Sequence, residues 1–206
     1  ATITIGSVTT GDPGTEASVT NSGTSEDAVF DFVIQQLQEA APLLSEVHSN
    51  QSGPYYGRIT RPVVLFLLAK ITLNAEVYTD NDWTDNQRPD GRNIYFEVDG
   101  KRLNAWQTVI TYCDQLKNMG YRLEPDYRTN FAVFNEPSVE NIFTIPMNKT
   151  MYTNQMQYLF RSRHYNHAKA YGLGGENGPS ATIEALETFG YETTEQDPRF
   201  DFCYFA

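Results

Sequence analysis

The sequence predicts a mainly α-helical chain, with paired helices joined by long loops and a few short strands. Three observations carry this. Apolar residues recur at helical spacing in three separate segments, and start or stop residues flank them. A long polar excursion, Asp80 to Arg102, separates the second segment from the third. The longest apolar run, Val63 to Ala69, falls far short of the roughly 20 residues a membrane-spanning helix needs.

Residues 1–24 are Thr, Ser, Gly and Asn with few apolar anchors, and read as an irregular lead-in. Thr24 and Asp27 have a loose capping-box spacing, and the acids Glu26 and Asp27 favour a helix N-terminus. Phe30, Val33, Ile34, Leu37, Ala40, Ala41 and Leu44 then form one stripe, so the first helix should run to about Ser45. Asn50 to Gly57, with Gly53-Pro54, reads as a loop. Pro62 suits the first turn of a second helix reaching about Tyr78. Its first half is apolar all round, which predicts cover on more than one side.

Within the excursion, Asn93 to Val98 reads as a short strand, with Asp99-Gly100 as a hairpin turn. Leu103 to Met119 resumes a helical stripe through Trp106, Val109, Ile110, Cys113 and Leu116, and Gly120 is placed to end it. Helix, excursion and helix together give the pattern of a helical-repeat hairpin, whose apolar faces need neighbouring pairs. Asn141 to Pro146 reads as another short strand, and Ala181 to Phe189 as a brief helix. Four aromatics within Phe200 to Phe205 call for burial close to the end of the chain.

The chain has 206 residues, enough for one domain or one and a fragment. Lys+Arg 15 against Asp+Glu 26 gives a net charge of −11, the wrong sign for neutralising phosphates, so a nucleic-acid partner is not expected. The charge sits at the ends. Residues 1–50 hold seven acids and no Lys or Arg, and residues 181–206 hold six acids against Arg199 alone. Residues 51–130 carry ten of each sign, and 131–180 three acids against four bases. A ligand is better sought in this neutral middle.

The two cysteines, Cys113 and Cys203, have no metal spacing and form no CxxC pair. Cys113, on a helix stripe, is expected to be a buried free thiol, with a single bridge to Cys203 as the alternative. His164-x-x-His167 lacks a third ligand, and Gly172-x-Gly174-Gly175 follows no strand and opens no helix, so neither a metal nor a nucleotide cofactor is expected. Asp80, Asp82 and Asp85 lack the Gly turn and terminal Glu of a calcium loop and read as a solvated turn. Asn50-Gln-Ser52 and Asn148-Lys-Thr150 match the glycosylation pattern, at about the chance frequency for 15 asparagines. No two of the 26 acids stand out as a catalytic pair, so the chain does not read as an enzyme.

Between residues 152 and 171, Tyr152, Tyr158 and Tyr165 interleave with Arg161 and Arg163, and Trp83 and Tyr95 add aromatic character elsewhere. A pyranose presents C–H groups to an aromatic face, while its hydroxyls need side chains such as Arg and Asn. Ordinary tyrosine packing in a loop-rich domain is the other reading of the same residues.

Several stretches, in order, resemble the SusD/RagB family, the surface-exposed nutrient-binding lipoproteins of Bacteroidetes outer membranes. They are Glu26 to Ile34 with Ala41-Pro42-Leu43-Leu44, Gly57 to Pro62 running into Val63–Ala69 and Asn74 to Tyr78, and Trp106 to Gly120. Tyr121 to Phe131, Glu140 to Pro146, Asn177 to Ala181 and Asp197 to Phe200 continue the series, so that residues 25–206 are covered. The resemblance implies tetratricopeptide-like helix pairs, no catalysis, and capture of an oligosaccharide or polysaccharide, with oligopeptide as an alternative. It further implies a SusC-like TonB-dependent transporter as partner and a place on the outer-membrane surface. Contact with the membrane would be only through a lipid anchor that this chain does not carry. Family members bind ligand mostly through loops, which here points to Tyr152, Tyr158, Arg161, Arg163, Tyr165 and Asn177; the 80–102 excursion is longer than the family's usual repeat turn and reads as a loop particular to this lineage, with Trp83 as a further candidate from its own aromatic character. Set against the family, the chain reads as an internal or truncated segment, incomplete at its C-terminus. A purely structural helical-repeat interaction scaffold is the competing reading from another class.

Overall fold

The computed structural model describes residues 26–147, 165–170, 172 and 181–203. The expected lead-in, the Thr24 cap and most of 148–178 lie outside them. The described residues are mainly helical, with one two-stranded antiparallel sheet. They fall into two compact units, one drawn from residues 1–125 and 132–145, the other from 126–131 and 146–206.

In the first unit, helix α1 (Glu26–Ala40) buries Phe30 and Ile34, one turn apart, and a 3-10 turn over Ala41–Leu43 follows, with Pro42 in its first turn. Phe30 stacks on Tyr78 with centroids 5.5 Å apart and meets Phe96 edge-on at 5.8 Å. Helix α2 (Arg61–Leu73) starts as expected with Pro62 in its first turn. The expected single helix to Tyr78 is broken at Asn74 and resumes as α3 (Ala75–Tyr78). The Thr72 hydroxyl donates back to the carbonyls of Leu68 and Ala69 (2.8 and 3.2 Å), and the Asn74 amide donates to that of Lys70 (2.9 Å). Such back-bonding competes with the helical ladder.

Among the described residues, the expected cover of α2 on several sides is not found. Val64, Leu65, Leu68 and Ala69 are buried, but Phe66 and Leu67 are 46% and 41% exposed. The outward face continues through Leu73 and Val77. Packing on α1 and α4 uses one side of the helix and leaves this one open.

The hairpin forms, with β1 (Tyr95–Val98) paired to β2 (Lys101–Asn104) and Val98 opposite Lys101. Asp99 and Gly100 take φ of 51° and 72°, the left-handed pair that a tight two-residue turn requires. Because residues 101–104 pair as a strand, helix α4 (Ala105–Asn118) begins later than the expected Leu103. Asn104 caps it with a full capping box to Gln107. Gly120, at φ 96°, ends it as expected, with Tyr121 N–H reaching the Leu116 carbonyl at 3.2 Å.

The buried face of α4 follows the apolar stripe only in part: Leu116 is buried and Trp106 packs half-buried against the core, but the rest of that face differs. Ala105, Thr108, Tyr112 and Leu116 are buried, whereas Ile110 is 59% exposed and Cys113 is a free, exposed thiol rather than a buried one. The hairpin sets the rotation of α4 through the Ala105 N–H to Ile94 carbonyl bond (2.9 Å). The small side chains at 105 and 108 then face inward, a position that suits close helix packing.

The expected strand at Asn141–Pro146 is absent. One backbone bond, Arg122 N–H to Val139 carbonyl at 3.1 Å, is joined not by a ladder but by side chains. Glu124 accepts from Val139 N–H (2.7 Å), and Glu140 accepts from Glu124 N–H (2.9 Å). Asn50, fully buried, donates to the carbonyls of Ser138 and Glu136 at 2.7 and 3.2 Å, tying the 50–57 loop to this segment. Its amide is therefore inaccessible to a glycosyl group in the folded chain.

In the second unit, α5 (Tyr165–Ala170) buries Ala168. Helix α6 (Ile183–Thr188) realises the expected brief helix, with the Thr182 hydroxyl accepting from Ala185 N–H. Helix α7 (Phe200–Cys203) buries Phe200, which stacks on Tyr191 at 5.1 Å. Cys203 is free and exposed.

Two outcomes follow from this packing. Asn50→Ala should remove the buried amide that donates to the carbonyls of Ser138 and Glu136 and cost about 2–4 kcal/mol, read as a lower urea midpoint. Tyr121 buries its hydroxyl with no hydrogen-bond partner, and burial pushes its pKa up to about 12. An unfolded tyrosine ionises near about 10, so above that pH the unfolded chain releases a proton that the folded chain keeps. Stability should be complete below about pH 10 and fall toward pH 12, by up to roughly 1.4 kcal/mol per pH unit from this group. Thermal melts across that range should show a slope that Tyr121→Phe flattens.

Candidate functional site

The excursion after α3 is a chain of side-chain-to-backbone turns. Asp80 accepts from Asp82 N–H (3.1 Å), Asp82 from Thr84 N–H (3.0 Å), and Asp85 from Gln87 N–H (2.7 Å). The Thr84 hydroxyl, and then its amide, hold the Asp82 carboxyl below the usual carboxylate range. Asn86 takes a left-handed φ of 59°, which its short amide side chain tolerates. Arg88 closes the turn, pairing with Asp80 at 3.3 Å and donating to the Trp83 carbonyl at 2.8 Å. The acids are thus engaged within their own turn. Among the described residues, no three His, Cys, Asp or Glu are grouped to hold a metal ion.

The Trp83 indole stands 75% exposed on this pinned backbone. Tryptophan is normally well buried, so an exposed ring held in place is a surface available for stacking. The return of the excursion is anchored too. Gly91 N–H donates to Glu76 at 2.7 Å, and the Trp106 ring lies so close to Gly91 that a Cβ there would be 2.4 Å from it. On the outer face of the hairpin, the Arg102 guanidinium sits 4.0 Å from the centre of the half-exposed Tyr95 ring.

Of the other expected ligand-binding residues, Tyr165 opens α5 in the second unit and is 52% exposed. Tyr152, Tyr158, Arg161, Arg163 and Asn177 lie outside the described residues, as do His164 and Gly174-Gly175.

Sequence reasoning missed a cleft of about 590 Å³ in the first unit, between the end of α1, the start of α2, the hairpin turn and α4. Leu65, Leu68, Val98 and Met119 supply its apolar lining. Gln38 crosses it, donating to the Glu97 carbonyl (2.8 Å) and the Tyr112 hydroxyl (2.9 Å), and Gln115 donates to Asp99 at 3.0 Å. Burial, with Asp99 nearby adding to it, raises the Tyr112 pKa against the pull of the Gln38 bond, so the phenol stays protonated. At one end Arg61 donates to the carbonyls of Ala41 and Pro42, both at 2.9 Å, and pairs with Glu46. One signal was present in the sequence. Gln38 falls one turn after Ile34, a polar residue within the inward face of α1.

Gly91→Ala should displace Trp106 and loosen the excursion, giving a red-shifted Trp106 emission and a lower melting temperature, by an amount typical of overpacking, about 1–3 kcal/mol. No family model, curated protein or solved structure matches this chain.

Proposed function

We propose that this chain acts in non-catalytic glycan capture at a bacterial cell surface, for delivery to a SusC-like TonB-dependent transporter. In this reading its helices form SusD-like, tetratricopeptide-like pairs. The observation that carries the proposal is Trp83, an exposed ring on a turn pinned by Arg88, Asp80 and Asp82. A fixed aromatic face loses little conformational freedom when the C–H face of a sugar stacks on it. The charge balance of residues 51–130, ten acids and ten bases, suits an uncharged ligand. The ordered resemblance to SusD/RagB proteins adds support from a separate direction.

A second reading is a helical-repeat interaction scaffold. It is favoured by the open face of α2 and α3, where Phe66, Leu67, Leu73 and Val77 are all exposed. Stacked repeats cover such faces with a neighbouring pair.

Calorimetric titration against a panel of neutral polysaccharides separates the two. The expected result is binding that Trp83→Ala weakens at least about tenfold, roughly 1.4 kcal/mol, without lowering the melting temperature. Silence from every glycan, with binding to oligopeptides, would redirect the proposal to peptide capture. Silence from both would favour the scaffold.

A further inference from the structure

We infer that this chain associates with copies of itself head to tail, the outward stripe of α1 on one copy lying antiparallel along the open face of α2 and α3 on the next. The inference names the cover that the scaffold reading requires, and it does not depend on the glycan reading.

Two stripes carry it. On α2 and α3, Phe66, Lys70, Leu73 and Val77 recur at steps of four, three and four residues, and all are exposed. On α1 and the turn after it, Val29, Phe32, Gln36, Glu39 and Leu43 recur at alternating steps of three and four. Phe32 is half-buried and the other four are exposed. Such steps keep residues on one face of a helix and are the spacing of a helix–helix seam. Each stripe holds a single charge, a base on one and an acid on the other.

Those charges choose the partner. No described acid lies within ion-pair distance of the Lys70 ammonium. The Glu39 carboxylate accepts from the neutral amides of Gln35 and Gln36, at 2.7 and 3.3 Å. Laid antiparallel, the stripes match step for step: Leu43 meets Phe66, Glu39 meets Lys70, Gln36 meets Leu73 and Phe32 meets Val77. The one acid and the one base then coincide, beside apolar contacts that keep water from the pair and fix the register. A two-fold pairing of α2 and α3 with their own copy sets Lys70 against Leu73 twice, burying two ammonium groups without a counter-charge. The charge pattern thus favours α1 as the occupant.

The chain supplies the direction itself. Its own α1 runs antiparallel to α2 and α3, with the Phe30 ring on Tyr78 at one end and the Arg61 guanidinium on the Ala41 carbonyl at the other. A second copy's α1 on the open side of α2 repeats that arrangement, as stacked helix pairs do in solenoids. Because the two surfaces differ, a pair of copies still presents one stripe of each kind, and the assembly does not stop at a dimer.

The test is sedimentation velocity of the chain across a concentration series. The mass should rise with concentration past that of a dimer. Lys70→Glu and Glu39→Lys, both at exposed helix positions, should each weaken association at least about tenfold. The double variant should recover it, since each new Lys then meets a new Glu. Leu43→Asp blocks one surface and Phe66→Asp the other. Each alone should be monomeric, with a melting temperature close to the parent's, and their mixture should form a one-to-one heterodimer and nothing larger. A parent chain monomeric at every concentration would overturn the inference and assign the face to a different protein. Self-association that Leu43→Asp keeps and Phe66→Asp loses would overturn it in favour of the two-fold pairing. A double variant that stays dissociated would overturn the Glu39–Lys70 register. The readings fail separately. Polysaccharide binding by a chain that remains monomeric ends this inference alone, and association that Trp83→Ala leaves unchanged, without binding to any glycan, ends the glycan reading alone.

Discussion

The packing of α2 against α4 is the constraint on which the first unit depends. Each helix buries a face that mixes apolar with small polar residues: Leu65, Leu68, Ala69 and Thr72 on α2, and Ala105, Thr108, Tyr112 and Leu116 on α4. Thr72 meets its own hydrogen-bonding need by bonding back into its helix, so it can sit at zero exposure without a partner from another element. The same bonds precede the break at Asn74, after which α3 brings Glu76 to the amide of Gly91. The position of the excursion, and of Trp83 on it, therefore traces back to how α2 ends.

The second organising theme is the use of side chains in place of regular backbone pairing. Apart from the single hairpin, the loops of the first unit are held by Asn50, Glu124, Glu140 and a run of aspartates acting as acceptors or donors for main-chain groups. Buried main-chain groups need partners, and a chain poor in strands must find them elsewhere. This accounts for residues such as Asn50 sitting at zero exposure. It also explains why polar loops here have defined shapes, which a surface that binds a ligand by several weak contacts requires.

Much of the local architecture was legible in the residues. Pro62 opening α2, the Asp99-Gly100 turn, Gly120 closing α4 and the brief helix near 183–188 each follow from backbone preferences that act over a few residues. The errors arose where distant parts of the chain had to agree. The rotation of α4 was misread because Ile110 and Cys113 fit an apolar stripe, whereas the hairpin and the approach of α2 select the face through Ala105 and Thr108. Residues 141–146 have strand-like composition, but a strand needs a partner edge, and the Asn141 N–H turns instead to the Ser138 hydroxyl at 3.1 Å. The prominence of Trp83 was visible from its polar surroundings. Of the cleft only Gln38 on the inward face of α1 gave a sign, since its walls bring the end of α1 and the start of α2 to the hairpin turn and α4.

The sequence by itself determined the mainly helical character, the Pro62 start, the Asp99-Gly100 turn, the Gly120 stop and a neutral middle between acidic ends, because propensity, turn chemistry and charge are properties of neighbouring residues. Tertiary structure alone decided which faces are buried, that α2 leaves Phe66 and Leu67 open, and that Gln38, Tyr112 and Gln115 share one cleft. Those outcomes depend on the relative rotation and approach of helices, which are settled only when the hairpin, the α2–α4 packing and the buried hydrogen bonds are satisfied together.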